Sequence, residues 1–180
     1  DKKPVGKSVA IIGAGGIGFD VAEYLLHEQS ATLDLTRWLQ EWGVDAGFEG
    51  KGGLRKPQPH APARKIWLLQ RSPGKPGARL GKTTGWIHRA ALKMGGVEAW
   101  GGIEYLSIDD EGLHIKKDGV EQTLAVDNVI VCAGQEPNRT LHLQLTELGI
   151  KSHLIGGADV AAELDAKRAI AQGAELAAVV

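Results

Sequence analysis

Apolar residues recur along this chain with more than one period, and the changes between them mark its elements. Ser8-Val-Ala-Ile-Ile12 is a short, β-branched apolar run that reads as a buried strand. Gly13-Ala-Gly-Gly-Ile-Gly18 follows at once. From Phe19 to His27, Val21, Ala22, Leu25 and Leu26 then recur at helical spacing. Residues 28–63 are less patterned. They predict a short helix over Thr36–Trp42, with Trp38, Leu39 and Trp42 on one face, and a Gly/Pro-rich loop from Gly43 to Ala63. A second strand is predicted over Lys65–Arg71, ended by the turn Ser72-Pro-Gly-Lys-Pro-Gly77. A helix over Thr84–Met94 stops at Gly95-Gly96. After a third short strand, Val97–Trp100, the period becomes two. Glu104–Ile108, Leu113–Lys116 and Gln122–Val126 alternate, joined by Asp110-Glu-Gly112 and Asp118-Gly119, which is the pattern of a three-stranded antiparallel meander. Asn128–Cys132 returns to an uninterrupted apolar strand, ended by Ala133-Gly134. Beyond it the pattern predicts a helix over Leu141–Leu148, a strand end at His153–Gly157 and an Ala-rich helix over Ala161–Leu176. The expected fold class is α/β: a central parallel sheet with helices, an antiparallel meander on one side, and a C-terminal strand–helix.

Composition narrows the class without naming a function. At 180 residues, 43% hydrophobic and 24% charged, the chain suits one folded domain, or one and part of another. No apolar run approaches the ~20 residues that span a bilayer, and the N-terminus lacks a secretion-signal pattern, so no membrane partner and a cytoplasmic location are expected. The single cysteine, Cys132, excludes an intrachain disulfide framework and a Cys-rich zinc or iron–sulfur site. Because the chain opens on Asp1 and Met94 is its only Met, it is expected to be a piece of a longer protein.

The net charge of −1 hides a lopsided distribution. From Gly50 to Val97 there are eleven cations and no carboxylate, and the remainder carries a net −12. A positive block between acidic segments suggests a polyanion partner: a polyphosphate cofactor, a coenzyme A ester or nucleic acid. A solvated basic loop is the plainer alternative.

Gly13, Gly15 and Gly18 form G-x-G-x-x-G between a strand and a helix, the context in which the motif binds a dinucleotide in a Rossmann-like sheet. Gly13 permits the tight turn, Gly15 lets the backbone approach a pyrophosphate, and Gly18 allows close helix–strand packing, with the diphosphate at the positive end of the helix. Such sites place an acid after the second strand when the ribose carries a free 2′-hydroxyl. Here the second strand ends in Arg71, followed by Lys75, which favours a 2′-phosphate and so NADPH over NADH. Gly13 and Arg71 are 58 residues apart, so residues 28–63 are expected to be a looped-out insertion.

Other polar residues are read more plainly. Cys132, within an apolar strand, is expected to be packed core. His88 either sits on a helix surface or faces a substrate, and the histidines show no metal-ligand spacing. In Leu154-Ile-Gly-Gly-Ala-Asp159 a strand delivers small residues and one carboxylate to a helix start. Asp159 is then either a ligand-facing group or an N-cap.

Three stretches carry a resemblance: Gly81-Lys-Thr-Thr-Gly-Trp-Ile-His-Arg89, Cys132-Ala-Gly-Gln-Glu-Pro-Asn-Arg139 and Asp165-Ala-Lys-Arg-Ala-Ile-Ala-Gln-Gly173. With the glycine motif and the meander, they resemble the C-terminal region of the NADPH-dependent 2,4-dienoyl-CoA reductases of the iron–sulfur flavoprotein type, which are two-dinucleotide-binding-domain flavoproteins. The resemblance implies a parent enzyme with an N-terminal (β/α)₈ barrel carrying FMN, a 4Fe–4S cluster and the dienoyl-CoA site. An FAD domain interrupted by an NADPH domain would follow. Residues 5–138 would be that NADPH-binding domain, and 139–180 the segment that returns to an incomplete FAD domain. The resemblance further implies that Gly13, Gly15, Ile17, Gly18, Arg71 and Lys75 bind NADPH, with Ala133 and Gly134 near its nicotinamide end. Asp159 and Val160 would face the FAD ribityl chain and ring. The proton donors would lie in the barrel, so no residue of this chain is expected to be catalytic. The expected partners are NADPH and the remaining barrel and FAD domains, with a nucleic-acid-binding module as the competing reading of the basic block.

Overall fold

The computed structural model describes residues 3–162 and 166–180. The chain forms two compact units, one running to Ala133 and the other from Gly134 to Val180. Asp165, which opens the third of the stretches above, lies outside the described residues. Among those described, no helix is long and apolar enough to cross a membrane.

In the first unit, β1 (Ser8–Ile12), β2 (Lys65–Leu69), β3 (Glu98–Trp100) and β7 (Asn128–Val131) form a parallel sheet in the order β3-β2-β1-β7. Successive side chains of a strand point to opposite faces, and here both faces are covered. Val9, Ile11, Ile66 and Leu68 pack on one side with Phe19, Ala22, Leu25 and Leu26 of α1 (Gly16–Leu26) and Leu92 of α3 (Gly85–Met94). Ala10, Trp67 and Leu69 pack on the other side against the meander of β4 (Glu104–Asp109), β5 (Gly112–Lys117) and β6 (Val120–Leu124), through Leu113, Ile115 and Leu124. That double coverage explains why β1 and β2 read as continuous apolar runs. Each fully buried Leu or Ile contributes about 1.5–3 kcal/mol to the core.

β1 is the pivot of this sheet. It pairs with β2 from Ser8↔Lys65 to Ile12↔Leu69, and with β7 from Val9↔Asn128 to Ile12↔Val131. At its far end the Gly13 amide donates to the Leu69 carbonyl at 2.8 Å, and the Cys132 amide donates to the Ile12 carbonyl at 2.7 Å. The strand endings where a ligand groove forms are thereby tied together.

Several boundaries differ from those expected. The Gly/Pro-rich stretch after α2 (Leu35–Trp42) is not wholly loop: Val44 and Leu54 form an antiparallel bridge that closes it on itself. β6 starts at Val120, two residues before the expected Gln122. The two-residue turn Asp118-Gly119 brings Lys117 directly opposite Val120, so the ladder starts at once.

The second unit holds α4 (Thr140–Glu147), a single 3-10 turn at Gly156–Ala158 and α5 (Ala166–Ala177). The predicted strand end at 153–157 is not a strand among the described residues. Ile155 has extended backbone angles, but no ladder forms. The Ala-rich helix is present over Ala166–Ala177, and Ala161 and Ala162, expected to open it, are not helical.

Candidate functional site

The glycine turn after β1 is held by contacts that tolerate no side chain at two of its three motif positions. Gly13 has φ +113°, and a Cβ there would lie 2.6 Å from the Cys132 carbonyl oxygen. A Cβ on Gly18 would lie 1.8 Å from the Gly13 carbonyl oxygen, so helix and turn meet backbone to backbone. Gly15 is different. Its φ of −86° suits any residue, and a Cβ on it would meet nothing within 4 Å. Neither the fold nor its packing asks for glycine at 15. What glycine supplies there is open space beside the start of α1.

That helix start is also unsatisfied. Gly15 is the N-cap, no side chain caps α1, and no acidic residue occupies its first turn. The first amides of a helix then seek an acceptor, which an anion provides with help from the helix dipole.

The space is part of a groove of about 530 Å³ at the C-terminal ends of β1, β2 and β7. In an open α/β sheet, the crevice beside the strand from which connections depart in both directions is where ligands bind. Gly13 and Gly15 line this groove, as do Arg71 and Lys75 after β2, and Ala133 after β7. The structure thus brings five of the expected NADPH-binding positions around one cavity. Ile17, half exposed, and buried Gly18 lie on the first turn of α1, outside the groove lining. Gly134, Asp159 and Val160 belong to the second unit.

The turn that carries the cations is braced. Gln70 Nε2 and the Gly102 amide each donate to the Ser72 carbonyl at 3.0 Å, and Arg89 Nη1 donates to the Gly77 carbonyl at 3.0 Å. Arg71, Lys75 and also Arg79, a further cation of the basic block, line the groove and form no ion pair among the described residues. The rest of the basic block is partly spent on structure. Arg64 donates to the Gly6 and Leu25 carbonyls, both at 3.0 Å. Lys65 reaches Glu98 at 3.6 Å and lies 4.3 Å from the centre of the Trp67 ring.

Cys132 is only partly buried and lines the same groove, rather than sitting wholly in the core. Burial pushes its thiol pKa up, which keeps it in the neutral form and a poor nucleophile. Tyr105 of β4 is a further lining residue that sequence reasoning missed. Burial pushes its phenol up to about 12 against the opposing pull of the Arg71 charge.

Elsewhere, His88 Nδ1 lies 3.2 Å from Glu23 Oε2, so His88 is a half-exposed bridge from α3 to α1. Trp38 and Trp42 stack on one another, with ring centres 6.1 Å apart. Asp109, Glu111 and His114 gather at the β4–β5 turn despite the lack of metal-ligand spacing among the histidines. Both ring nitrogens of His114 are already engaged there, by Asp109 at 2.8 Å and Thr123 at 2.9 Å.

In the second unit, Asp159 does not cap α5, because Ala161 and Ala162, which follow it, are not helical. Its carboxylate accepts from Gln172 Nε2 at 3.0 Å, and Gln172 Oε1 accepts from the Gly156 amide at 2.7 Å. The 3-10 turn is thereby fastened to the helix. Gly156 is buried against Ala169, whereas Val160 is exposed.

A metal reductase of Desulforamulus reducens is 28% identical to this chain over 146 residues, covering 80% of the chain and 21% of the relative. The structure of a 2-naphthoyl-CoA reductase with 2-naphthoyl-CoA superposes on 99% of the chain and 22% of its own, with a TM-score of 0.66 at 17% identity. A 6-hydroxypseudooxynicotine amine oxidase from Pseudomonas geniculata N1 covers 96% of the chain and 22% of its own, with a TM-score of 0.64 at 19% identity. These two structures share the fold. The chain spans about a fifth of the length of that metal reductase. The family model for pyridine nucleotide-disulphide oxidoreductases matches residues 1–167, and the chain belongs to that family.

Proposed function

We propose that this chain binds NADPH in the groove at the end of β1, as the NADPH-binding part of an enzyme that passes hydride from NADPH to FAD. Residues 5–138 make up the NADPH domain, with 28–63 as an insertion, and 139–180 contribute one side of an FAD domain. The observation that carries the reading is the groove itself. It joins an uncapped helix start and a glycine that nothing in the fold requires to Arg71, Lys75 and Arg79, which have no ion-pair partner among the described residues.

Each residue has a separate task. The Gly13–Gly18 turn and the free amides of the first turn of α1 hold the diphosphate, and Gly15 leaves room for it. Arg71 binds the 2′-phosphate through its planar fork of donors, with Lys75 as a second charge. Ala133 and Gly134 are small enough to admit the nicotinamide. Asp159 and Val160 face the flavin ribityl chain and ring. The bound nicotinamide supplies a hydride, and this chain's contribution is to hold and orient it.

The parent enzyme in this reading is a 2,4-dienoyl-CoA reductase of the iron–sulfur flavoprotein type, with FMN, the 4Fe–4S cluster and the proton donors in its other domains. The three motif stretches support it. Gly81–Arg89 includes the start of α3, whose Arg89 braces the cation-bearing turn. Cys132–Arg139 begins at the groove, and Arg139 donates to the Ala158 carbonyl at 3.2 Å.

Isothermal titration of the purified chain with NADP⁺ and NAD⁺ tests the cofactor assignment. A charge-assisted bidentate contact predicts a preference of roughly tenfold or more for NADP⁺, largely abolished in Arg71→Ala. Equal affinities overturn the assignment. Tight, salt-steep binding to duplex or single-stranded DNA that NADPH fails to compete favours a nucleic-acid module instead.

A further inference from the structure

Tyr105 sits where the meander breaks its own register. β4 pairs Tyr105 with Ile115 and then Ser107 with His114, so a bulge falls between Tyr105 and Ser107. Bulges re-aim side chains and concentrate beside binding sites. The Tyr105 ring packs on the second core cluster, with Trp67, Leu69 and Ile115, while the residue also lines the groove. Its hydroxyl oxygen is buried and has no hydrogen-bond partner among the described residues. Arg71, beside the same groove, lies near enough for its charge to act on the phenol.

A buried hydroxyl without a partner destabilises the fold that contains it, and native proteins tolerate few. Here the orphan is a donor, its residue lines a cavity, and the cation Arg71 lines the same cavity. The ligand atom that satisfies both groups is an anionic oxygen. A ribose hydroxyl would leave the guanidinium charge unmatched, whereas a phosphate accepts from both at once.

We propose that Tyr105 is a specificity-determining residue of the groove, its hydroxyl donating to an oxygen of the phosphate on the adenosine ribose of the bound nucleotide, alongside Arg71. This rests on the assignment of the groove to NADPH. The phenol is protonated at any physiological pH, because burial holds its pKa near 12, so the donor is always available.

The test uses the full chain and Tyr105→Phe, which keeps the ring that packs on the core and deletes only the hydroxyl. Affinities for NADP⁺, NAD⁺, 2′-AMP and 5′-AMP are measured together with the thermal midpoint of the unliganded protein. The expected result is a five- to tenfold loss of affinity for NADP⁺ and 2′-AMP, with no change for NAD⁺ or 5′-AMP. The unliganded variant should melt at or above the wild-type midpoint, because an unsatisfied buried group has gone. Unchanged NADP⁺ affinity, or an equal loss for all four ligands, overturns the role of Tyr105 while the wild-type preference for NADP⁺ still supports the cofactor assignment. A wild type that does not prefer NADP⁺ overturns both.

Discussion

Three glycines of one motif do three different things, and substitution separates them. At Gly18 a Cβ would sit 1.8 Å from a backbone oxygen, which neither side can yield without moving α1 off β1. Gly18→Ala is therefore expected to cost about 1–3 kcal/mol or more, in the manner of an overpacked core, and to lower the melting midpoint together with nucleotide affinity. At Gly15 a Cβ meets no protein atom and the backbone is already in a region open to alanine. Gly15→Ala should change stability little, because the gain of about 0.4–1 kcal/mol through the unfolded state is offset by alanine's poorer fit at an N-cap, while nucleotide binding falls. Thermal melts and titrations on the two variants check the contrast. A Gly15→Ala protein that binds NADP⁺ as tightly as wild type would show that the space beside this residue is not where the diphosphate lies.

At the scale of elements, the junction of β7 with β1 depends on a carboxylate. Asp127 Oδ2 accepts from the Ser8 amide at 2.7 Å and from the Ser8 hydroxyl at 2.8 Å, and the Asp127 amide donates to the Ser8 carbonyl at 2.9 Å. The Ser8 amide, then the Ser8 hydroxyl, hold the Asp127 pKa below its ordinary 3.8. A carboxylate depressed by folding stabilises the native state above its unfolded pKa and loses that contribution as pH falls through its folded value. Asp127→Asn is thus expected to melt below wild type at neutral pH. The gap should narrow as pH drops below 3.8, and melts across that range would exclude the idea if the gap stayed constant. Such pairings also decide what could be read from sequence. β1, β2 and the glycine turn are local patterns, visible because apolar residues crowd a strand covered on both faces and because Gly13 and Gly18 have no room for a side chain. Arg71 was legible as a strand-end cation. The 153–157 segment was not, because a strand exists only with a ladder partner and apolar residues alone do not supply one. Tyr105 was missed because a bulge across β4 and β5 places its hydroxyl, and no spacing within one strand records that.

The chain as a whole offers one phosphate-binding turn for two dinucleotides. Gly13–Gly18 is the only G-x-G-x-x-G in the sequence, and its groove is lined by residues of the first unit alone. The residues proposed to face the flavin, Asp159 and Val160, directly follow the 3-10 turn, which is fastened to α5 through Gln172. They form a small wall with no glycine turn of their own to hold a second pyrophosphate. Nor does this sequence hold the cysteine pair that a redox-active disulphide would need, since Cys132 is its single cysteine. Hydride transfer needs donor and acceptor held about 3–3.5 Å apart, so on the proposed reading, in which the chain binds one cofactor well and the other poorly, it does not catalyse alone. The purified chain is therefore expected to bind NADPH yet not oxidise it when mixed with an artificial electron acceptor, with or without added FAD. Following NADPH absorbance decides the matter. Turnover at an enzyme's pace that depends on added FAD would mean that the second unit, or residues of the first, hold a complete flavin site, and the division of labour between the two units would have to be redrawn. Turnover without FAD would place the redox chemistry elsewhere in the chain. The expected silence, with NADP⁺ still bound tightly, fits a domain whose work is to present one cofactor to another.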